Sequence, residues 1–391
     1  MRNTACAALF LALLCNAGLA LAGESETVTP DLGRNAALTY WRAFAVSPEM
    51  TKDELNIISP RPGTEPPKVP PEKKAQLVEQ WRVALELMRE VAAVPQCDWG
   101  IDYEKDGPGV QLPQLAKARA LARAAAFRAR YFWEKGQRKD AVDDLRAAVI
   151  MARHVGNDGR DTIIGMLVQI AIEGIVQDTT AQLLTNREAA DLFADVLGDF
   201  SNGSTAHLSE NAIRSERKMF IPWMRHRLLE ASATDWKRLL ASLGDGSSEA
   251  AQKLAKLQQA DMPKLLDELD KQYTESAVIM ALPYQEFRVK MPEMESAIKA
   301  SGNPLSAIVL PALTRVREEE ERYRIRWAMV RAAIEFRREA EGAFNKVTDP
   351  HDGKPFQYTA LEGGAFELKS ALLVRGNQQI VMTFGQLPAV K

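Results

Sequence analysis

Apolar positions recur at helical spacing along most of the chain, and the clearest stretch is residues 113–156. In its first half Leu115, Ala118, Ala122, Ala125, Ala126, Ala129, Phe132 and Trp133 fall on one face of a helix. Gly136 ends that helix, because glycine takes the left-handed cap conformation at little cost. Ala141, Val142, Leu145, Ala148, Val149 and Ala152 repeat the pattern, with Gly156 as the stop. Alanines on both halves let two backbones approach closely, which predicts a tight helical hairpin.

The same periodicity predicts helices over 34–46 and 73–94, the second with a stripe of Leu77, Trp81, Leu85 and Met88. Between them Pro60, Pro62, Pro66, Pro67, Pro70 and Pro71 predict an extended connector, read as a spacer rather than a recognition motif. Residues 161–184 are apolar almost all round and predict a central buried helix, thinned at Gly165 and Gly174 for close neighbours. Asn186 is placed to cap the helix that follows, and Phe200–Ser204 reads as a turn. From 205 to 300 the pattern predicts helices broken at Pro222, Gly244–Gly246, Pro263, Pro283 and Pro292. Asn303 and Pro304 form a cap and first-turn pair opening a long helix to about Phe344, with Pro311 as its kink or true start. In that helix EEEERYRIR reads as a solvated face paired within itself, through Glu318–Arg322 and Glu320–Arg324. The pattern then changes: FQYTAL, AFELKSALLV and QIVMTFG, separated by glycine-containing turns, predict a three-stranded antiparallel meander.

The spacing Ala129, Phe132, Gly136, Ala141, Leu145, Ala148 resembles one tetratricopeptide repeat, with Arg128 where that family has leucine and Arg153 where its closing proline falls. No second copy fills the same positions, so an irregular stack of helical hairpins is expected. The long helix followed by Asp349, Pro350, Gly353, Pro355, Phe356 and Tyr358 and a meander resembles the C-terminal module of pseudopilins and type IV pilins, without their prepilin cleavage motif. Taken whole, the chain also resembles uncharacterised secreted bacterial proteins that carry a CDWG loop. That resemblance implies an architecture and no activity.

The expected fold is therefore mostly α: an irregular stack of helical hairpins, then a long helix and a small meander. The domain organisation read from the pattern is 1–22 signal peptide, 23–72 N-terminal helix and connector, 73–300 helical-hairpin body, and 301–391 helix-plus-meander module. The signal reading rests on Arg2, the apolar run Ala5–Leu14 and the small-x-small site Ala20–Ala22, and predicts a secreted or periplasmic protein with no membrane span after cleavage. Of three cysteines only Cys97 lies beyond that segment, so stability must come from packing rather than disulfides. Lys plus Arg is 50 against 52 acids, which gives no global charge to draw the chain to nucleic acid.

Candidate chemistry is sparse, and no catalytic residue, metal ligand set or cofactor is assigned. Asp102, Glu104, Asp106 and Gly107 imitate half of a calcium loop, but Pro113 stands where the bidentate glutamate belongs. His207 and Glu210 could share a helix face, yet two ligands make no site. Cys97 is read as buried beside Trp99 rather than nucleophilic, since sequence places none of the scattered His154, His207, His226 and His351 beside it. Arg119, Arg123 and Arg130 flank the apolar face of the first hairpin helix and are the candidate contacts for acidic groups. The leading expectation is a non-enzymatic envelope scaffold that binds a protein or peptide in a groove between helices. An enzyme or small-ligand binder using Asp98, Trp99, Asp102 and Glu104 in the 96–113 loop is the alternative, and a purely structural, self-associating component is a third; the oligomeric state stays open.

Overall fold

The structure, a computed structural model, describes residues 35–60, 67–156, 161–201, 207–232, 235–236, 239, 249–254, 256–310, 312–339, 346–374 and 377–385. The signal segment with its cut after Ala22, residues 61–66 of the proline connector, 202–204, Gly244–Gly246, Pro311 and 340–344 lie outside them. The described chain is mostly α with one small antiparallel sheet at its C-terminal end.

The first helices are α1 (Ala36–Val46), α2 (Lys52–Ile58), α3 (Pro71–Gln80) and α4 (Arg82–Val91). The α2 helix lies in a stretch given no element above; Thr51 and Glu54 close a reciprocal capping box at its start. Pro71 does not continue the connector but opens α3, where its missing N–H is harmless. The expected 73–94 helix is interrupted at Trp81, which joins α3 to α4. A short α5 (Tyr103–Asp106) follows in the loop.

The hairpin read from 113–156 is present as α6 (Pro113–Glu134) and α7 (Arg138–Gly156), with Gly136 at φ +78° in the turn. Its alanines are buried at the crossing, among them Ala122, Ala125, Ala129, Ala141, Ala148 and Ala152. The next helices, α8 (Ile163–Leu183) and α9 (Arg187–Ser201), extend the packing: α8 lies against α6 and α7, and α9 against α7. Asn186 caps α9, with its Oδ1 accepting from Ala189 N at 2.9 Å. Gly156 serves a contact rather than a left-handed cap, because a Cβ there would lie 2.0 Å from Gln169 Oε1 on α8.

Beyond these come α10 (Leu208–Leu229), α11 (Glu249–Leu254), α12 (Met262–Met280), α13 (Tyr284–Ser301), α14 (Pro304–Val309) and α15 (Leu313–Glu339). Two expected breaks are absent: α10 runs through Pro222 and α13 through Pro292. Both prolines are exposed, as are Lys218 and Arg288 four residues earlier, so the carbonyls they leave unbonded face water. The break near Pro311 is present, between α14 and α15, and Asn303 caps α14.

The α15 helix corrects the expectation of a solvated charge run, because it is enclosed by α8, α9, α10 and α13. Arg317, Glu320 and Glu321 are buried. Glu320 accepts from Leu208 N at 2.8 Å and from the Ser209 hydroxyl, closing the start of α10. Arg317 and Arg324 both pair with Glu321, at 3.1 and 3.0 Å. The charges pair along the helix as Arg317–Glu321, Glu319–Arg322 and Glu321–Arg324 rather than as Glu318–Arg322 and Glu320–Arg324. Glu320 and Glu321 are buried, while Glu319, Arg322 and Arg324 are half-buried.

The meander consists of β1 (Gln357–Ala360), β2 (Phe366–Val374) and β3 (Gln378–Phe384), in the order β1-β2-β3. Phe366 stacks on Phe384 at 5.2 Å and meets Phe336 of α15 edge-on at 4.9 Å. Asp349, in the turn before the strands, is buried and accepts from the Ser370 hydroxyl at 2.6 Å and Ala371 N at 3.0 Å, which fastens that turn to β2. Gly385 N donates to Ala181 O at 2.9 Å, so the sheet closes on the end of α8. Residues from Ala36 onward thus form one unit, and the stretches 73–300 and 301–391 fold against each other through α8, α9 and α15.

Candidate functional site

The acidic loop is a structural clasp. Asp98 Oδ1 accepts from Gly100 N at 2.9 Å and Asp102 Oδ1 from Lys105 N at 2.9 Å, both local turn bonds that hold the loop backbone. Glu104 is exposed. Trp99 is buried, stacks on Tyr40 at 5.5 Å and donates its indole N–H to His154 O at 2.8 Å, so it ties the loop to α1 and the end of α7. On the far side Gly107, at φ +61°, lies flat on the Trp223 ring, whose N–H donates to Lys105 O at 3.1 Å. All three acids are exposed, and Asp98 and Asp102 serve local turns.

Cys97 is buried near Tyr40, whose hydroxyl shares a 3.0 Å hydrogen bond with His154 Nδ1. Burial lowers the His154 pKa to about 4, so at neutral pH the ring is uncharged. His207 Nδ1 lies 3.2 Å from Glu210 Oε2, and among the described residues no group of three potential ligands could hold a metal ion.

Buried acids elsewhere hold helices together. Glu173 of α8 accepts from the Tyr323 hydroxyl at 2.9 Å, the Trp327 indole at 2.8 Å and Gln169 at 3.0 Å. Burial raises its pKa, against the opposing pull of Arg153. Glu216 of α10 accepts from Ile163 N at 2.8 Å at the start of α8, and burial pushes it up to about 7. Arg128, standing where the tetratricopeptide pattern has leucine, is buried in a two-pronged bond to Asp144, at 2.8 and 2.6 Å.

The three candidate arginines share one face of α6 but have different surroundings. Arg130 is committed internally: it donates to Thr179 Oγ1 at 3.2 Å and Ile58 O at 3.3 Å, and burial lowers its pKa to about 10. Arg119 is exposed and Arg123 half-buried, and neither makes a hydrogen bond or ion pair among the described residues. Burial lowers the Arg123 pKa, and the charged group adding to that effect is Arg119, another cation.

The surface beside this pair is the open side of α8. By length and composition α8 is apolar enough to cross a membrane, yet it is packed into the body and carries the buried Glu173. At about 100° per residue, Glu173 and Gln177, bonded to α15, lie on one flank, and Thr179, bonded to Arg130 of α6, lies on the other. Between the flanks run Ile164, Leu167, Ala171 and Gly174, with Ile175 at the α6 edge, and all five stay at least partly exposed. Ile164 is 49% exposed, and a Cβ built on Gly174 would meet nothing within 4 Å. Sequence reasoning missed this stripe because α8 is apolar almost all round. The usable signal was Gly174, a glycine in a helix interior with no internal neighbour that needs it. Gly174→Ala should raise stability by about 0.5–1 kcal/mol in urea melts, since alanine removes the glycine penalty and clashes with nothing.

No family model, curated protein or solved structure matches the chain. The functional reading rests on these residues.

Proposed function

We propose that the chain is a non-enzymatic secreted or periplasmic envelope scaffold that holds a protein or peptide on the open face of α8, between α6 and α15. One observation carries the reading: among the described residues an apolar stripe of helical spacing stays partly exposed on a mostly buried central helix, with room above Gly174. A stripe at i, i+3, i+7 and i+10 is the form in which a helix receives a partner segment. The alanine-lined α6/α7 hairpin with α8 packed on both its helices supports a tetratricopeptide-like body. The fastened Asp349 turn and meander support a pseudopilin-like C-terminal part. Titratable groups in the loop and in the buried clusters are engaged in turns, caps and ion pairs, which favours a scaffold over an enzyme.

The test is affinity purification of the full chain from its own envelope fraction. Ile164→Glu with Ala171→Glu, two positions that do not pack against the core, should leave the melting curve nearly unchanged and abolish recovery of a partner present in near-equal amount. Equal recovery by both forms, or bait alone from the unaltered chain, would overturn the proposal.

A further inference from the structure

The face of α8 is charged at one end and neutral at the other, which narrows what it can hold. At its C-terminal end Asp178 is already matched by Arg326 of α15, at 2.5 Å. Towards its N-terminal end the neighbouring charges are Arg119 and Arg123. Short connections make α6 and α8 antiparallel to α7, so α6 and α8 run the same way. Arg130 sits beside Thr179, and the same offset places Arg123 level with Ile172 and Arg119 level with Val168. Two guanidinium groups therefore border the Leu167–Ala171 part of the stripe, and no carboxylate among the described residues pairs with them. Holding two adjacent cations, one of them half-buried, costs free energy that an incoming anion would recover.

Gly174 adds a distance constraint. With open space over its Cα and no side chain, it admits a partner backbone closer than any other position on the stripe. We infer that the occupant is an acidic peptide segment of another protein, lying along α8 with its carboxylates on Arg119 and Arg123 and its backbone or a small residue against Gly174. This rests on the scaffold reading above and gives it a substrate class.

The probe is a random 16-residue peptide library displayed for selection against the full chain at low salt, followed by titration of one enriched, labelled peptide. Enriched sequences should carry an excess of Asp and Glu beside apolar residues. Their binding should weaken at least about tenfold in the Arg119→Glu/Arg123→Glu double variant and in Gly174→Leu, and should fall steadily with added salt. Among the described residues neither arginine side chain makes a bond and Gly174 has open space over its Cα, so far-ultraviolet circular dichroism of the variants should match the parent. Peptides blocked by Gly174→Leu but neither acidic nor sensitive to the charge reversal would overturn this inference and leave the scaffold reading standing. No enrichment, with or without binding of the chain to phosphatidylglycerol vesicles through the same residues, would overturn both.

Discussion

Asp144→Ala should destabilise the protein by about 3–5 kcal/mol, the usual cost of leaving a buried charge without its partner. Asp144 is fully buried between α4, α6 and α7 and holds two arginines: Arg128 through Nε and Nη2, and Arg89 through Nε at 2.5 Å. Both guanidinium groups also lie over the Phe132 ring, at 5.4 and 5.9 Å, so neither can leave without exposing an aromatic. Without the carboxylate, Arg128 keeps no acid partner among the described residues. Arg89 keeps Asp140, whose side chain is 48% exposed. Asp140→Ala should consequently cost no more than about 1 kcal/mol, the range of exposed ion pairs. Replacing Arg128 and Asp144 together by leucines should recover most of the loss, because an apolar pair of similar volume roughly matches a buried ion pair. Urea melts of the singles and the double decide this; a loss below about 1 kcal/mol for Asp144→Ala would mean the cluster is not dry.

The second large effect is a pair of opposing pH dependences. Burial raises Glu216 to about 7 from an ordinary value near 4.5, so the folded state holds its proton more tightly than the unfolded chain. That contribution is complete below about pH 4.5 and is lost as pH rises through 7. Burial lowers His154 to about 4 from 6.5, so its contribution is present above about pH 6.5 and is lost as pH falls through 4. Each shift corresponds to about 3 kcal/mol, and between about pH 4.5 and 6.5 the two slopes cancel. Glu216→Gln keeps an acceptor for Ile163 N and should leave the His154 slope exposed: relative to the parent, the variant gains about 3 kcal/mol between pH 4 and pH 8. His154→Gln should do the reverse and leave a protein that weakens from about pH 4.5 to 7. Parallel stability curves for parent and variants in buffered urea would contradict both assignments.

The helix and strand pattern carried far in this chain because its signals are local. The α6/α7 hairpin, the Asn186 and Asn303 caps and all three strands lie where periodicity and turn residues put them. The α2 helix was legible too, through the Thr51–Glu54 box. What escaped was decided by tertiary context. Pro222 and Pro292 sit inside helices because their faces meet water, and Glu320 and Glu321 of the EEEERYRIR run are buried because four helices close around them. Arg128 reads as a departure from a repeat consensus until Asp144, sixteen residues away, is seen beside it. The same limit governs the candidate site. Sequence places Arg119, Arg123 and Arg130 on one face but cannot say that only Arg130 finds internal acceptors. An all-round apolar α8 announces burial without telling which side another chain would have to cover.

The most direct measurement of that last point is site-specific photo-cross-linking in the living cell, with benzoylphenylalanine replacing Ala171 on the open face or Val289 on an exposed face of α13. The scaffold account predicts one discrete heavier adduct from position 171, diminished by the Arg119→Glu/Arg123→Glu pair, and none from position 289. Equal labelling at both positions, or no adduct at 171, would contradict it.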